Sequence, residues 1–154
     1  MGTVVISLDA ELAWGFHDLE TLPSERISRA RDAWLELLEC FDEYSVPATW
    51  AVVGHLFLDS CDGVHEELSS LPGWFDRDPG GTAEAHPEWF GPELVAAIQN
   101  AAVDHEIGTH TFSHVECGAE RTSAEVVRVE LEAISVLAHR HLNKSRPTGF
   151  RYCR

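Results

Sequence analysis

Short apolar runs that alternate with amphipathic helical stretches restrict this chain more than any other feature. Residues 3–8 (TVVISL) form a β-branched apolar run of the kind that makes a buried strand. From residue 24 to residue 44, Ile27, Ala30, Trp34, Leu37, Leu38 and Phe41 recur at helical spacing, with charged residues between them. Ser24 offers a hydroxyl for the helix N-cap. Val46-Pro47 ends the helix, and residues 48–53 (ATWAVV) read as a second buried strand closed by Gly54. Residues 92–102 form a second helix and residues 106–108 a third, short strand. Thr122-Ser123-Ala124-Glu125 has the form of a capping box that opens a helix to about Leu142. Arg146-Pro147 breaks it, and residues 148–150 begin a fourth strand. The order β-α-β-α-β-α-β belongs to a parallel α/β sheet or barrel. In such folds the chemistry gathers at the carboxyl ends of the strands.

Those ends carry the reactive side chains. Asp9 and Glu11 lie just past the first strand, His110 and His114 past the third, and Arg151 at the end of the fourth. His110 and His114 stand four residues apart, a spacing that on a helical turn puts both imidazoles on one face. Neutral imidazole is the commonest metal ligand, and a catalytic zinc takes three protein ligands with one position left open. Glu11 can supply the third. Asp9 and Glu11 are separated by one residue, so both can face the same way: one carboxylate to bind metal, the other to serve as general base. A bound metal polarises a carbonyl and lowers the pKa of its water, and the free carboxylate takes the water's proton. Arg151 can orient that base or hold it ionised. This set describes metal-assisted hydrolysis of an acyl group.

The segment from 55 to 91 is less regular. Leu56-Phe57-Leu58 suggests a short helix, and the Pro and Gly residues between 71 and 81 mark a loop. Long loops are often functional. Trp74, Phe75, Trp89 and Phe90 can wall a sugar ring or anchor the loop to the core, and Trp14, in the irregular stretch after the first strand, is a further candidate substrate contact. His17 and His55 follow the first two strands and can border the pocket. His139 and His141, on the last helix, read as solvated.

The net charge is -15, from 26 acidic and 11 basic residues spread through the chain. Such a surface repels a phosphate backbone, so nucleic acid is not expected as a partner. Lys144 is the sole lysine, and abundant acid with so little lysine suggests salt adaptation. No apolar run reaches membrane-span length. The N-terminus lacks the pattern of a signal peptide, which gives a cytoplasmic expectation. Cys40, Cys61, Cys117 and Cys153 form no CxxC pair, and read as reduced thiols rather than a thiolate zinc site.

SLDAE near the N-terminus, ATWAVVG on the second strand, EIGTHTFSH and a late GFR together resemble the polysaccharide deacetylases (the NodB-homology, carbohydrate esterase type) over nearly the whole chain. The resemblance implies a distorted (β/α) barrel, here incomplete, spanning 1–154 and lacking the family's last strands. It implies removal of N-acetyl or O-acetyl groups from a carbohydrate with the help of one divalent metal ion, expected to be zinc. Asp9 then matches the catalytic base; Glu11, His110 and His114 match the metal ligands; Arg151 matches the arginine that orients the base. Tyr152 falls where the family places a backbone N–H near the oxyanion. Here an alanine separates Asp9 from a glutamate where many members have adjacent aspartates. Cys153 stands where a proline is usual, which makes Arg154 a rival to Arg151. Two other readings come from the missing strands and altered motifs: a catalytically inactive remnant that binds metal or sugar, and a metal-independent allantoinase-like amide hydrolase. An open barrel edge would favour a homodimer or a partner chain.

Overall fold

The computed structural model describes residues 2–16, 18–68, 71–142, 149–151 and 153. Three strands, β1 (Ser7–Ala10), β2 (Thr49–Val52) and β5 (Glu106–Thr109), make a parallel sheet in the order β1-β2-β5. A small antiparallel pair, β3 (Ser60–Cys61) with β4 (Gly81–Thr82), lies between β2 and β5 in sequence. The helices are α1 (Ser24–Tyr44), α2 (Pro92–Asn100) and α3 (Ala124–His141). The result is a mixed α/β fold with parallel strands joined by helices. Among the described residues the sheet is open, and no barrel closes. At the fourth strand expected from the sequence, the described residues make one parallel bridge, Phe150 to Thr109; Thr148 lies outside them. Arg151 N–H donates to the Thr109 carbonyl at 3.0 Å and Thr109 N–H to Gly149 O at 2.8 Å.

Helix α1 forms over the stretch its periodicity indicates. Its buried stripe is Ile27, Trp34, Leu38 and Phe41. Trp34 stacks on Trp50 of β2 with ring centroids 5.2 Å apart, and Phe41 meets the same indole edge-on at 6.2 Å. Such pairs add about 0.5–1.5 kcal/mol to the area they bury. The N-cap position belongs to Pro23, and no side chain caps it. Ser24 is already helical, so the expected hydroxyl cap is replaced by a residue whose fixed φ suits helix entry. At the far end Ser45 takes a left-handed conformation at φ 53°, and Val46 N–H returns to Phe41 O at 2.9 Å. Asp42 then reaches across to accept the N–H groups of Ala102 (3.0 Å) and Val103 (2.8 Å), tying α1 to the turn before β5.

Helix α2 begins with Gly91 at the N-cap and Pro92 at the first position. Helix α3 is capped by Ser123, whose hydroxyl accepts Val126 N–H at 3.3 Å. That displaces the capping box expected from Thr122: the cap falls one residue later, and Glu125 pairs with Arg128 instead.

The first strand differs from its sequence reading. Val4 and Val5 are 89% and 77% exposed, and the ladder begins only at Ser7. Among the described residues β1 is paired on one side, by β2, and has there no second neighbour of the kind that buries parallel strands. β2, in the middle, buries Trp50, Ala51 and Val52. The register aligns Ala10, Val52 and Thr109 across the sheet. The next residues along the chain, Glu11, Val53 and His110, therefore emerge at one level.

Candidate active site

His110 leaves β5 with its N–H still bonded to Val52 O at 3.0 Å. The chain then turns twice through the left-handed region, Thr111 at φ 61° and His114 at φ 62°. His110 and His114 are thus not on a helix. A loop brings their rings together, with centroids 5.0 Å apart and planes 59° from parallel. Non-glycine residues at positive φ persist only where the surroundings hold them. The buried carboxylate of Glu130 on α3 does so: it accepts Phe112 N–H and Ser113 N–H at 2.8 Å each, and the Ser113 hydroxyl at 2.7 Å. The Thr111 hydroxyl accepts Val115 N–H at 3.0 Å. Gly54 N–H and His55 N–H bond Thr111 O and Phe112 O, extending the β2 ladder onto the loop. A Cβ at Gly54 would stand 2.9 Å from Phe112 Cα, so this approach requires glycine.

The acidic side chains close on the histidines from β1. Glu11 Oε2 lies 2.9 Å from His114 Nε2 and 3.5 Å from His110 Nε2. Asp9 Oδ1 lies 4.0 Å from His110 Nε2. Asp9, Glu11 and His110 each bring a donor atom within 4.8 Å of the others, and so do His110, His114 and Cys153. Partial burial works to raise the Glu11 pKa, yet hydrogen bonds and charge from His110 and His114 outweigh it and hold the carboxyl down at about 2.

Arg151 reaches the same place from the last bridge. Its Nε donates to Asp9 Oδ1 at 2.8 Å, and NH1 donates to the Ser7 hydroxyl at 2.9 Å. Its carbonyl faces His110 Nδ1 at 2.9 Å. A carbonyl can only accept, so Nδ1 carries a proton, and in the singly protonated ring Nε2 is a lone pair. That lone pair points toward an ionised carboxylate. Two acceptors face each other stably only with a second ring proton or a cation between them. A donor set of imidazoles and carboxylates, with one ring fixed by a main-chain acceptor, fits a divalent cation.

Of the sequence candidates, Asp9, Glu11, His110, His114 and Arg151 meet in one place. The aromatic candidates fare differently. Trp14 and Trp89 are 1% and 3% exposed, so neither can stack on a sugar from this position. Trp14 donates its indole N–H to Trp89 O at 3.2 Å, and the two rings pack edge-on at 5.1 Å. They are core residues, as their size favours. Trp74 is half-buried beside the histidine loop, donating to the Ser113 hydroxyl at 2.9 Å with the Arg121 guanidinium 5.0 Å from its ring centre. Tyr152, Arg154 and His17 lie outside the described residues. His55 does not border this site; it is fully buried against Trp14 and Phe90.

Sequence reasoning missed Glu130 and Cys153. Glu130 falls on the buried stripe of α3 between Val126 and Ile134, and a glutamate on an apolar stripe was the available signal. The Cys153 thiol donates to His110 O at 3.2 Å and lies 3.5 Å from Thr111 Oγ1. Burial pushes it up to about 12, so it acts as a protonated prop beneath the loop.

No curated protein matches the chain. The sequence model of the polysaccharide deacetylases matches residues 15–154. That span holds the histidine pair and Arg151, while Asp9 and Glu11 precede it and enter the site on geometry alone. With most of its length matched, the chain belongs to the polysaccharide deacetylase family.

Proposed function

We propose that this chain is a divalent-metal-dependent hydrolase that removes acetyl groups, N-acetyl first, from a carbohydrate. The observation that carries the reading is the placement of the Glu11 carboxylate between the Nε2 atoms of His114 and His110, with Asp9 held apart by Arg151. Glu11, His110 and His114 would hold the cation, for which zinc is the expected identity. When bound, the cation would supply Lewis acidity to the acyl oxygen and to a water.

The chain's own residues account for the rest. Asp9 takes the proton of the attacking water as general base, a role worth about 10²–10⁴ in rate. The Arg151 Nε bond to Oδ1 fixes the direction in which that carboxylate points. His110 keeps its proton at Nδ1, on the Arg151 carbonyl, so its Nε2 stays available. Attack on the acetyl carbon forms the new C–O bond; return of the proton held by Asp9 to the departing nitrogen lets the C–N bond break, giving acetate and the free amino sugar. Trp74, whose indole bonds Ser113 of the histidine loop, would border the sugar. The family supports carbohydrate as the substrate class. No helix among the described residues is long and apolar enough to cross a membrane.

The test is acetate release from an N-acetylated oligosaccharide by protein stripped of metal and reloaded with zinc. Release restored by zinc in wild type, and absent from Asp9→Asn at full metal content, supports the reading. Equal release by stripped protein would overturn the metal requirement, and turnover by Asp9→Asn would remove Asp9 as base.

A further inference from the structure

A second group of donors lies outside the candidate active site. His55 follows β2, Cys61 ends β3, His65 sits in the turn after it, and Asp78 comes from the loop before β4. One atom from each, a ring nitrogen, Sγ or a carboxylate oxygen, lies within 4.8 Å of all the others. Asp78 Oδ2 is 2.9 Å from His55 Nε2 and 2.8 Å from His65 Nε2. Cys61 Sγ is 3.4 Å from His55 Nε2 and 3.5 Å from Asp78 Oδ2. The edges of a tetrahedron drawn by zinc bond lengths to nitrogen, oxygen and sulfur run to about 3.3–3.6 Å. The two Cys61 separations match those edges, the two from Asp78 to the histidines are shorter by about 0.5 Å, and the remaining pairs lie within 4.8 Å.

We propose that His55, Cys61, His65 and Asp78 form a structural zinc site that pins β3 and the loop before β4 behind the active-site loop.

The hydrogen bonds around the group favour a cation at its centre. His55 Nδ1 faces the Trp89 carbonyl at 3.1 Å. Nδ1–H donates to that carbonyl, and in the neutral ring Nε2 is then a lone pair aimed at Sγ and at a carboxylate. Gly80 N–H donates to Asp78 Oδ1 at 2.9 Å, leaving Oδ2 as the atom turned inward. Outer partners of this kind orient metal ligands. His55, His65 and the Asp78 side chain are all nearly or fully buried.

Charge balance points the same way. A divalent cation with one thiolate, one carboxylate and two neutral imidazoles sums to zero, the cheapest arrangement for a buried charged group. On binding, the thiol releases its proton to solvent and the thiolate becomes a ligand. A thiolate in the set selects zinc over magnesium or calcium. A cavity of about 450 Å³ opens onto Cys61 and His65 beside Leu58 and Leu137.

The backbone is shaped to bring these residues together. Gly63 at φ 76° and Gly80 at φ 62° pack back to back: a Cβ on either would stand 3.0 Å from the other loop's carbonyl oxygen. His65 itself is held at φ 48°. With four protein ligands and no open position, the site is of the structural kind. It also braces the active site, because the His55 and His65 rings both pack against Phe112 of the histidine loop.

The test is zinc content together with cobalt spectroscopy on the full chain. Wild type should hold about two zinc ions, Cys61→Ser and Asp78→Asn one fewer, and His114→Ala should keep the ion at Cys61. Cobalt loading should give a thiolate-to-cobalt charge-transfer band in wild type and in Cys153→Ser, absent from Cys61→Ser. A band lost in Cys153→Ser and kept in Cys61→Ser would overturn the assignment. So would folded, cobalt-loaded wild type with no band, leaving an imidazolium–carboxylate pair in place of a metal. If Cys61→Ser fails to fold, wild type and Cys153→Ser decide between these outcomes. Loss of the active-site metal alone would leave the Cys61 band intact, so the two sites fail separately.

Discussion

Removing the Glu130 side chain should disturb the candidate active site through the loop that carries both histidines. The carboxylate is 1% exposed and receives three donors, Phe112 N–H, Ser113 N–H and the Ser113 hydroxyl. Glu130→Ala strands the two backbone N–H groups in the interior, and each costs about 1–3 kcal/mol when left without a partner. The hydroxyl can turn elsewhere and the vacated volume admits some relaxation. The expected net loss is about 3–5 kcal/mol, a large share of a small domain's stability. Glu130→Gln is different. Its amide oxygen can accept both N–H groups while its NH₂ donates to the hydroxyl, and the buried charge is gone. Burial raises the Glu130 pKa despite the three donors. A carboxyl with a raised folded-state pKa favours folding most when protonated, and that contribution declines as pH rises above the usual carboxylate value. Glu130→Gln should therefore lie within about 1 kcal/mol of wild type at neutral pH. Urea unfolding of the three proteins, followed by zinc titration of each, measures both effects. Glu130→Ala should also bind zinc more weakly at the histidine loop than Glu130→Gln does. Equal stability and equal affinity for Ala and Gln would refute the idea that these hydrogen bonds hold the loop.

Asp9→Asn should keep its active-site metal and lose acetate release by about 10²–10⁴-fold, read from initial rates with metal content measured in parallel. Glu11, held at about 2 against an ordinary value near 4.5, contributes about 2–3 kcal/mol of stability above pH 4.5 once solvent screening is allowed for. Its folded-state pKa is depressed, so that contribution is lost as pH falls through the interval between those values. Metal-free Glu11→Gln should accordingly show a flatter stability profile there than metal-free wild type, and matching profiles would remove the coupling. Gly54→Ala should destabilise the fold by about 1–3 kcal/mol, because the new methyl meets Phe112 Cα and the Ile134 side chain. Thermal melting shows it directly.

The helices and central strands were legible because their signals are local. α1 spans the whole run of periodic apolar residues, and β2 lies inside ATWAVV. The convergence of Asp9, Glu11, His110, His114 and Arg151 was legible too, since parallel strands deliver their C-terminal residues to one end of the sheet. Less accessible were features set by tertiary context. The edge position of β1 exposes Val4 and Val5, which no local pattern reveals. The His110–His114 spacing reads as a helical turn, yet Glu130, distant in sequence, holds the loop in another conformation. Trp14 and Trp89 looked like sugar platforms from composition, and only their packing on each other shows them to be core. Cys61 could not be linked to His55, His65 and Asp78 by any known spacing, because two loops must meet across Gly63 and Gly80 to assemble that group.

The central claim is that Glu11, His110 and His114 hold a cation that hydrolysis requires. Elemental analysis of wild type beside His110→Ala and His114→Ala, each purified in high salt, tests it most directly. Each variant should hold one divalent metal per chain fewer than wild type and release no acetate. Unchanged metal content in folded His110→Ala and His114→Ala, or wild type without metal, would contradict it.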